Sequence, residues 1–161
     1  MHPLETCLAA LRQIHDTGGG VAETSYYGAL ESLLNQVGSN LDPPVRAVPQ
    51  LRDTGAGNPD FGLFAAGQFE AGLESESLPG HKPERGVVEV KSWRDEVLTV
   101  AASEQVNRYG QHYGMVLVSN YRDFVLVGRN AAGQLAPLER LQLAASEAEF
   151  LDLLRQPRQA G

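Results

Sequence analysis

Residues 86–93 read GVVEVKSW. Val88 and Val90 alternate with Glu89 and Lys91, the period-two pattern of a strand with one apolar and one charged face. A Glu-x-Lys pair on an isolated strand is usually a solvated ion pair of little energetic weight. On a central strand the same two groups would be fixed side by side in a cleft, with the two valines packed inward against helices. The neighbouring stretches decide between these readings. NPDFGLF, residues 58–64, follows a glycine-rich turn and reads as a strand, with Asp60 and Gly62 on one face and Phe61 and Leu63 on the other. Pairing of 58–64 with 86–92 as a hairpin sets Asp60 beside Glu89. Downstream, MVLVSN at residues 115–120 is almost continuously apolar, the mark of a strand covered on both faces. DFVLVGR at 123–129 is a further strand, reached through a tight turn at Tyr121 and Arg122.

Helices are expected around these strands. Leu4, Cys7, Leu8, Leu11 and Ile14 recur at helical spacing over residues 3–15, and TGGG ends that helix. A second helix follows, with Thr24 or Ser25 as its cap and Tyr27, Leu30, Leu34 and Val37 along one side. GSNLDPP breaks the chain. Residues 45–51 form a short strand that Pro49 confines to an edge. Residues 65–86, rich in glycine and glutamate without periodicity, read as a long, mobile connection. Residues 101–113 look helical, NAAGQ turns the chain, and Ser146 with Glu149 makes a capping box for a helix over 146–156. The order α-α-(β)-β-β-α-β-β-α predicts an α/β fold with a mixed central β-sheet flanked by helices.

The chain has 161 residues, 42% of them hydrophobic and 20% charged. That is enough for one packed domain over 1–161, with its core at about residues 23–130. No apolar run approaches the roughly 20 residues that span a bilayer, so no membrane partner is expected. The N-terminal stretch carries Glu5 and lacks a basic region, so it does not read as a secretory signal, and a cytoplasmic location is expected. The single cysteine, Cys7, excludes an internal disulfide and a cysteine-rich zinc site, and His2, His15, His81 and His112 show no ligand spacing. The net charge of −7 argues against a free-standing nucleic-acid binder, since phosphate neutralisation supplies most of such affinity.

Two carboxylates a few ångströms apart both stay ionised when a cation lies between them. Hard oxygen ligands of this kind suit Mg2+, which takes one or two carboxylates together with waters and substrate phosphate. Lys91 would point at the same place, where an ammonium can orient an attacking water or stabilise developing charge. Asp60, Glu89 and Lys91 together are a phosphodiester-cleaving set.

Pro59, Asp60, Glu89 and Lys91, with 28 residues between the two carboxylates, resemble the signature of the PD-(D/E)xK nuclease superfamily. Gln105 and Tyr109, one helical turn apart, give the Q-x-x-x-Y of its RecB-like branch. MVLVSNYRDFVLVGRN is similar to the strand pair that follows that helix in the N-terminal nuclease domains of single-chain type IIG and type ISP restriction–modification enzymes. There a TNY-x-x-F stretch recurs; here it is Ser119, Asn120, Tyr121 and Phe124. YYGALESLLN resembles the family's first helix, with Glu31 at the position of a glutamate that joins the metal shell. The resemblance spans residues 27–129. It implies a restriction-endonuclease-like fold, a DNA endonuclease using Mg2+ (or Mn2+) at Asp60, Glu89 and Glu31, catalysis by Asp60, Glu89, Lys91 and Gln105, and DNA contact by Gln105 and Tyr109. It also implies double-stranded DNA as partner, and a covalently linked methyltransferase using S-adenosylmethionine and a target-recognition domain. Trp93 stands where a proline or small residue is common, and the 65–86 connection is longer than usual.

On the residues alone, Glu31 also reads as solvent-facing, Gln105 as surface and Tyr109 as core. Asn120 and Tyr121 read best as hairpin-turn residues, Trp93 as a lid over the core edge, Glu104 as solvent-facing and Cys7 as core. Two other functions fit the fold class: a nuclease-fold interaction module without cleavage, and a stand-alone junction or repair nuclease. The intact Asp60–Glu89–Lys91 set speaks against the first. Between residues 89 and 129 Lys91, Arg94, Arg108, Arg122 and Arg129 are balanced by Glu89, Asp95, Glu96, Glu104 and Asp123, which leaves no basic face for the second.

Overall fold

The computed structural model describes residues 2–17, 23–71 and 82–156. Six strands form one sheet in chain order: β1 (Val45–Pro49), β2 (Phe61–Ala65), β3 (Gly86–Val90), β4 (Val116–Ser119), β5 (Asp123–Arg129) and β6 (Leu135–Gln142). Neighbours run antiparallel except β3 and β4, which are parallel. A parallel pair cannot be closed by a tight turn. The crossover carries α4 (Val97–Ala101) and α5 (Glu104–Tyr113). The remaining helices are α1 (Pro3–Asp16), α2 (Tyr27–Ser39), α3 (Ala66–Ala71) and α6 (Glu147–Arg155).

Every residue of β3 is buried, so the sheet is covered on both faces at its centre. Val88 and Val90 pack with Leu8 and Leu11 of α1, Leu30 and Leu33 of α2, and Phe150 and Leu154 of α6. Val87 belongs to the opposite layer, with Val116, Val118, Val125 and Val127 of the sheet against Val97, Val106, Tyr109 and Tyr113. Strand alternation then turns Glu89 and Lys91 toward the α5 side. Gly86 makes the close entry of β3 possible. Its φ is +112°, and a Cβ there would lie 2.5 Å from the Met115 carbonyl oxygen.

Several expectations need correction. Thr24 and Ser25 do not cap α2; residues Glu23–Tyr26 form a 3₁₀ turn, and Tyr26 precedes the helix without a side-chain cap. The buried side of α2 is Ala29, Leu30 and Leu33, while Val37 is exposed. The 65–86 connection contains α3, and its residues 72–81 lie outside the described ones. The helix expected over 101–113 starts at Glu104, where the Ser103 side chain caps it by accepting from Val106 N, and a separate short helix, α4, precedes it. β6 was not anticipated; it pairs with β5 across an irregularity at Leu126/Val127 and lies mostly exposed. The Ser146 cap is present, with its hydroxyl accepting from Glu149 N at 3.2 Å.

The β4–β5 turn is tied down by Asn120 and Arg122. Asn120 Oδ1 accepts from Asp123 N at 2.8 Å and its amide donates to Asp95 O at 2.8 Å, so the turn reading of this residue holds. Arg122, 2% exposed, donates to the carbonyls of Trp93 (2.7 Å) and Ala145 (3.1 Å), and its guanidinium lies 3.4 Å from the buried Asp123 carboxylate. Trp93 is itself buried in the core cluster of α1, α2 and α6, in edge contact with Tyr26 and Tyr121. Arg122→Ala is expected to destabilise the fold by about 3–5 kcal/mol, the cost of stranding one partner of a buried charged network. Chemical denaturation reads this directly; a loss below about 1 kcal/mol would mean that water replaces the guanidinium without penalty.

Candidate active site

The β2–β3 register pairs Phe61 with Val88, Gly62 with Val87 and Leu63 with Gly86. One more step along this ladder would set Asp60 across from Glu89, but the main-chain pairing ends at Phe61. Asp60 lies just before β2 rather than inside it, and its carbonyl accepts from Gln50 N at 2.8 Å. Its carboxylate continues the pairing where the main chain of β2 stops. Oδ2 accepts from Val90 N at 2.7 Å, and Oδ1 accepts from the Tyr27 hydroxyl at 2.5 Å.

Glu89 is 3% exposed, a rare environment for a carboxylate unless it is paired. Its Oε1 lies 3.2 Å from Lys91 Nζ, and the Lys91 side chain is 36% exposed. The lysine main chain is anchored, since its N–H donates to Ser119 O at 2.8 Å. The ammonium therefore reaches from a fixed root to the boundary between the buried carboxylate and solvent. An open depression next to it is lined by Lys91, Arg94, Asp95, Glu96, Thr99 and Val100.

α5 closes the other side. Gln105 Nε2 donates to the Tyr109 hydroxyl at 3.1 Å, so the two residues of the Q-x-x-x-Y do share a face. Burial holds the Tyr109 phenol above its ordinary range; the negative charge of Glu89, and less strongly that of Asp60, pushes the same way, while the Gln105 bond opposes. Tyr109 thus senses both carboxylates. It is only 1% exposed, which leaves it no surface with which to touch DNA. The half-buried Gln105 is the more accessible of the two.

Glu31 sits half-exposed on α2, one turn beyond Tyr27 and on the same side. Among the described residues, no group of three His, Cys, Asp or Glu side chains is arranged to hold a metal ion. Asp60 and Glu89 lie on neighbouring segments, just before β2 and within β3, and Glu31 does not complete a metal-holding group with them.

The loop leading into Asp60 is built rather than slack. Asp53 Oδ1 accepts from Gly55 N (2.7 Å) and Gly57 N (3.0 Å), and these two bonds hold its carboxyl below the ordinary 3.8. Arg108 of α5 donates to Ala56 O at 3.1 Å, and Thr54 Oγ1 lies 2.8 Å from the Tyr113 hydroxyl and 3.2 Å from His112 Nε2. Gly57, at φ +109°, brings its backbone over the Tyr109 ring. One helix therefore carries Gln105 and Tyr109 and also fixes the approach to Asp60. Sequence reading missed this clasp and missed Tyr27. The one available signal for Tyr27 was its place four residues before Glu31.

No family model matches the chain, and no curated protein matches it. Among solved structures it is similar to a chain of the DrdV–DNA complex determined by cryo-electron microscopy. The TM-score is 0.60 at 18% sequence identity, and the match covers 96% of each chain. The fold is α/β and restriction-endonuclease-like, a mixed sheet flanked by helices. No described helix is long and apolar enough to cross a membrane.

Proposed function

We propose that this chain is a Mg2+-dependent endonuclease domain that hydrolyses DNA phosphodiester bonds within a restriction–modification or related DNA-defence enzyme. The observation that carries the reading is the Lys91 ammonium 3.2 Å from the buried Glu89 carboxylate on β3, with the Asp60 carboxylate tied to the same strand at Val90 N. The likeness to a chain solved in a DNA complex agrees with it.

The donor set fits the ion: two hard carboxylates, one buried on β3 and one just before β2 held by two hydrogen bonds. Asp60 and Glu89 would hold it, and when bound it supplies positive charge and Lewis acidity at the scissile phosphate. Mn2+ suits the same oxygens. Lys91 has the reach to orient a water for in-line attack and to stabilise charge on a non-bridging phosphate oxygen. Gln105, half-buried and bonded to Tyr109, would position that water or a phosphate.

DNA should be held mainly by other domains, the linked methyltransferase and target-recognition modules that the resemblance implies. The balancing cations are engaged: Arg122 is buried, Arg108 and Arg129 donate to main-chain carbonyls, and Arg94 pairs with Glu147 at 3.0 Å. With a net charge of −7, few counterions are released on DNA binding. The chain alone is expected to bind duplex DNA with a Kd weaker than about 1 µM at physiological salt, without sequence preference. Fluorescence anisotropy with Ca2+ in place of Mg2+ measures this. Nanomolar, sequence-selective binding would favour a stand-alone nuclease instead.

A further inference from the structure

We infer that Tyr27 is a positioning residue for the Asp60 carboxylate, setting its orientation toward a divalent cation; the inference rests on the metal-site reading above. Asp60 precedes the β2 ladder, so strand pairing does not fix its side chain. One carboxylate oxygen is held by the Val90 main chain, a donor present whatever residue stands there. The other is held by a phenol that arrives from 33 residues away in sequence. Tyr27 opens α2, and its ring lies 5.5 Å from that of Phe61, the fully buried residue next to Asp60. The ring thus packs on the strand while its hydroxyl grips the carboxylate just before it, which locks helix and strand together at the site.

Two donors from different directions define the plane of the carboxylate. Each oxygen keeps lone-pair capacity beyond the bond it accepts. A neutral phenol adds no charge that would compete with a cation, as a lysine or arginine in its place would. This is the arrangement by which an outer hydrogen-bond partner orients a metal ligand.

The test is Mn2+ titration calorimetry on the chain, wild type against Tyr27→Phe, with electron paramagnetic resonance of the bound ion at saturation. Phenylalanine keeps the ring and its contact with Phe61 and removes only the hydroxyl. Binding is expected to weaken roughly 10–100-fold, as for other losses of an outer-shell partner. The Mn2+ spectrum should also broaden at full occupancy, because the carboxylate is no longer held in one orientation. A purely structural role would lower Tm and leave that spectrum unchanged. Equal affinity and an unchanged spectrum would overturn the inference and leave the metal site standing. Absence of Mn2+ binding in the wild type would overturn the metal-site reading itself. Should Tyr27→Phe fail to fold, 3-fluorotyrosine at position 27 is a near-isosteric, stronger donor. It is expected to narrow the Mn2+ spectrum at saturation by holding the carboxylate more firmly, and an unchanged spectrum would overturn the inference equally.

Discussion

Replacing Lys91 by alanine is expected to reduce the single-turnover rate of DNA cleavage by about 10²–10³-fold, the usual effect of removing one preorganised group that stabilises transition-state charge. The ammonium is rooted by the β3–β4 pairing and extends to the solvent boundary, so no core packing is lost with it. What is lost is the positive charge 3.2 Å from a buried carboxylate. Circular dichroism should report an unchanged fold. Lys91→Arg is expected to recover only part of the rate, since a planar, wider guanidinium cannot take the place of a point charge. Cleavage at the wild-type rate by a folded Lys91→Ala variant would remove the lysine from the mechanism.

Asp60→Ala should abolish measurable Mn2+ or Mg2+ binding, a larger effect than any change behind the ligand. Two consequences are mixed in this variant, and they can be separated. Loss of the carboxylate removes one of the paired ligands. It also strips Val90 N of its side-chain acceptor, which costs about 1–3 kcal/mol for a buried donor left unsatisfied. Asp60→Asn retains an amide oxygen that can accept from Val90 N, so its stability should approach that of the wild type while metal binding is still lost. Calorimetry and thermal denaturation of the two variants together distinguish the effects. Metal heats equal to those of the wild type in both would place the ion elsewhere.

The sheet centre was legible because period-two alternation and continuous apolar runs are local signals. Val88 and Val90 against Glu89 and Lys91 predicts the faces of β3, and the expected antiparallel neighbour is β2. β6 gave no such signal. LAPLERLQ lies at an exposed edge, so neither face is required to be apolar, and Pro137 reads as a strand breaker. Tyr27 was invisible for a different reason: its role is set by a contact across 33 residues, and a tyrosine near a helix start reads equally well as packing. Tyr109 was left open between core and DNA contact, and it is core. The motif fixes its face of α5, but only packing against Gly57 and the β-sheet decides that the ring is enclosed. Arg122 entered the sequence reading only as a turn residue and in the charge balance, and it is buried because the β4–β5 turn folds beneath Trp93 and the approach to α6.

The central claim is that Asp60, Glu89 and Lys91 form one metal-dependent centre for phosphodiester hydrolysis. Its most direct measurement is conversion of supercoiled plasmid to nicked and linear forms by the chain at high protein concentration, with Mg2+ titrated from zero and EDTA as control. The account predicts slow, sequence-blind cleavage by the wild type that saturates with Mg2+ and vanishes with EDTA, and none by Asp60→Asn or Lys91→Ala. No cleavage by the wild type at any Mg2+ concentration, or cleavage that persists in EDTA or in both variants, would contradict it.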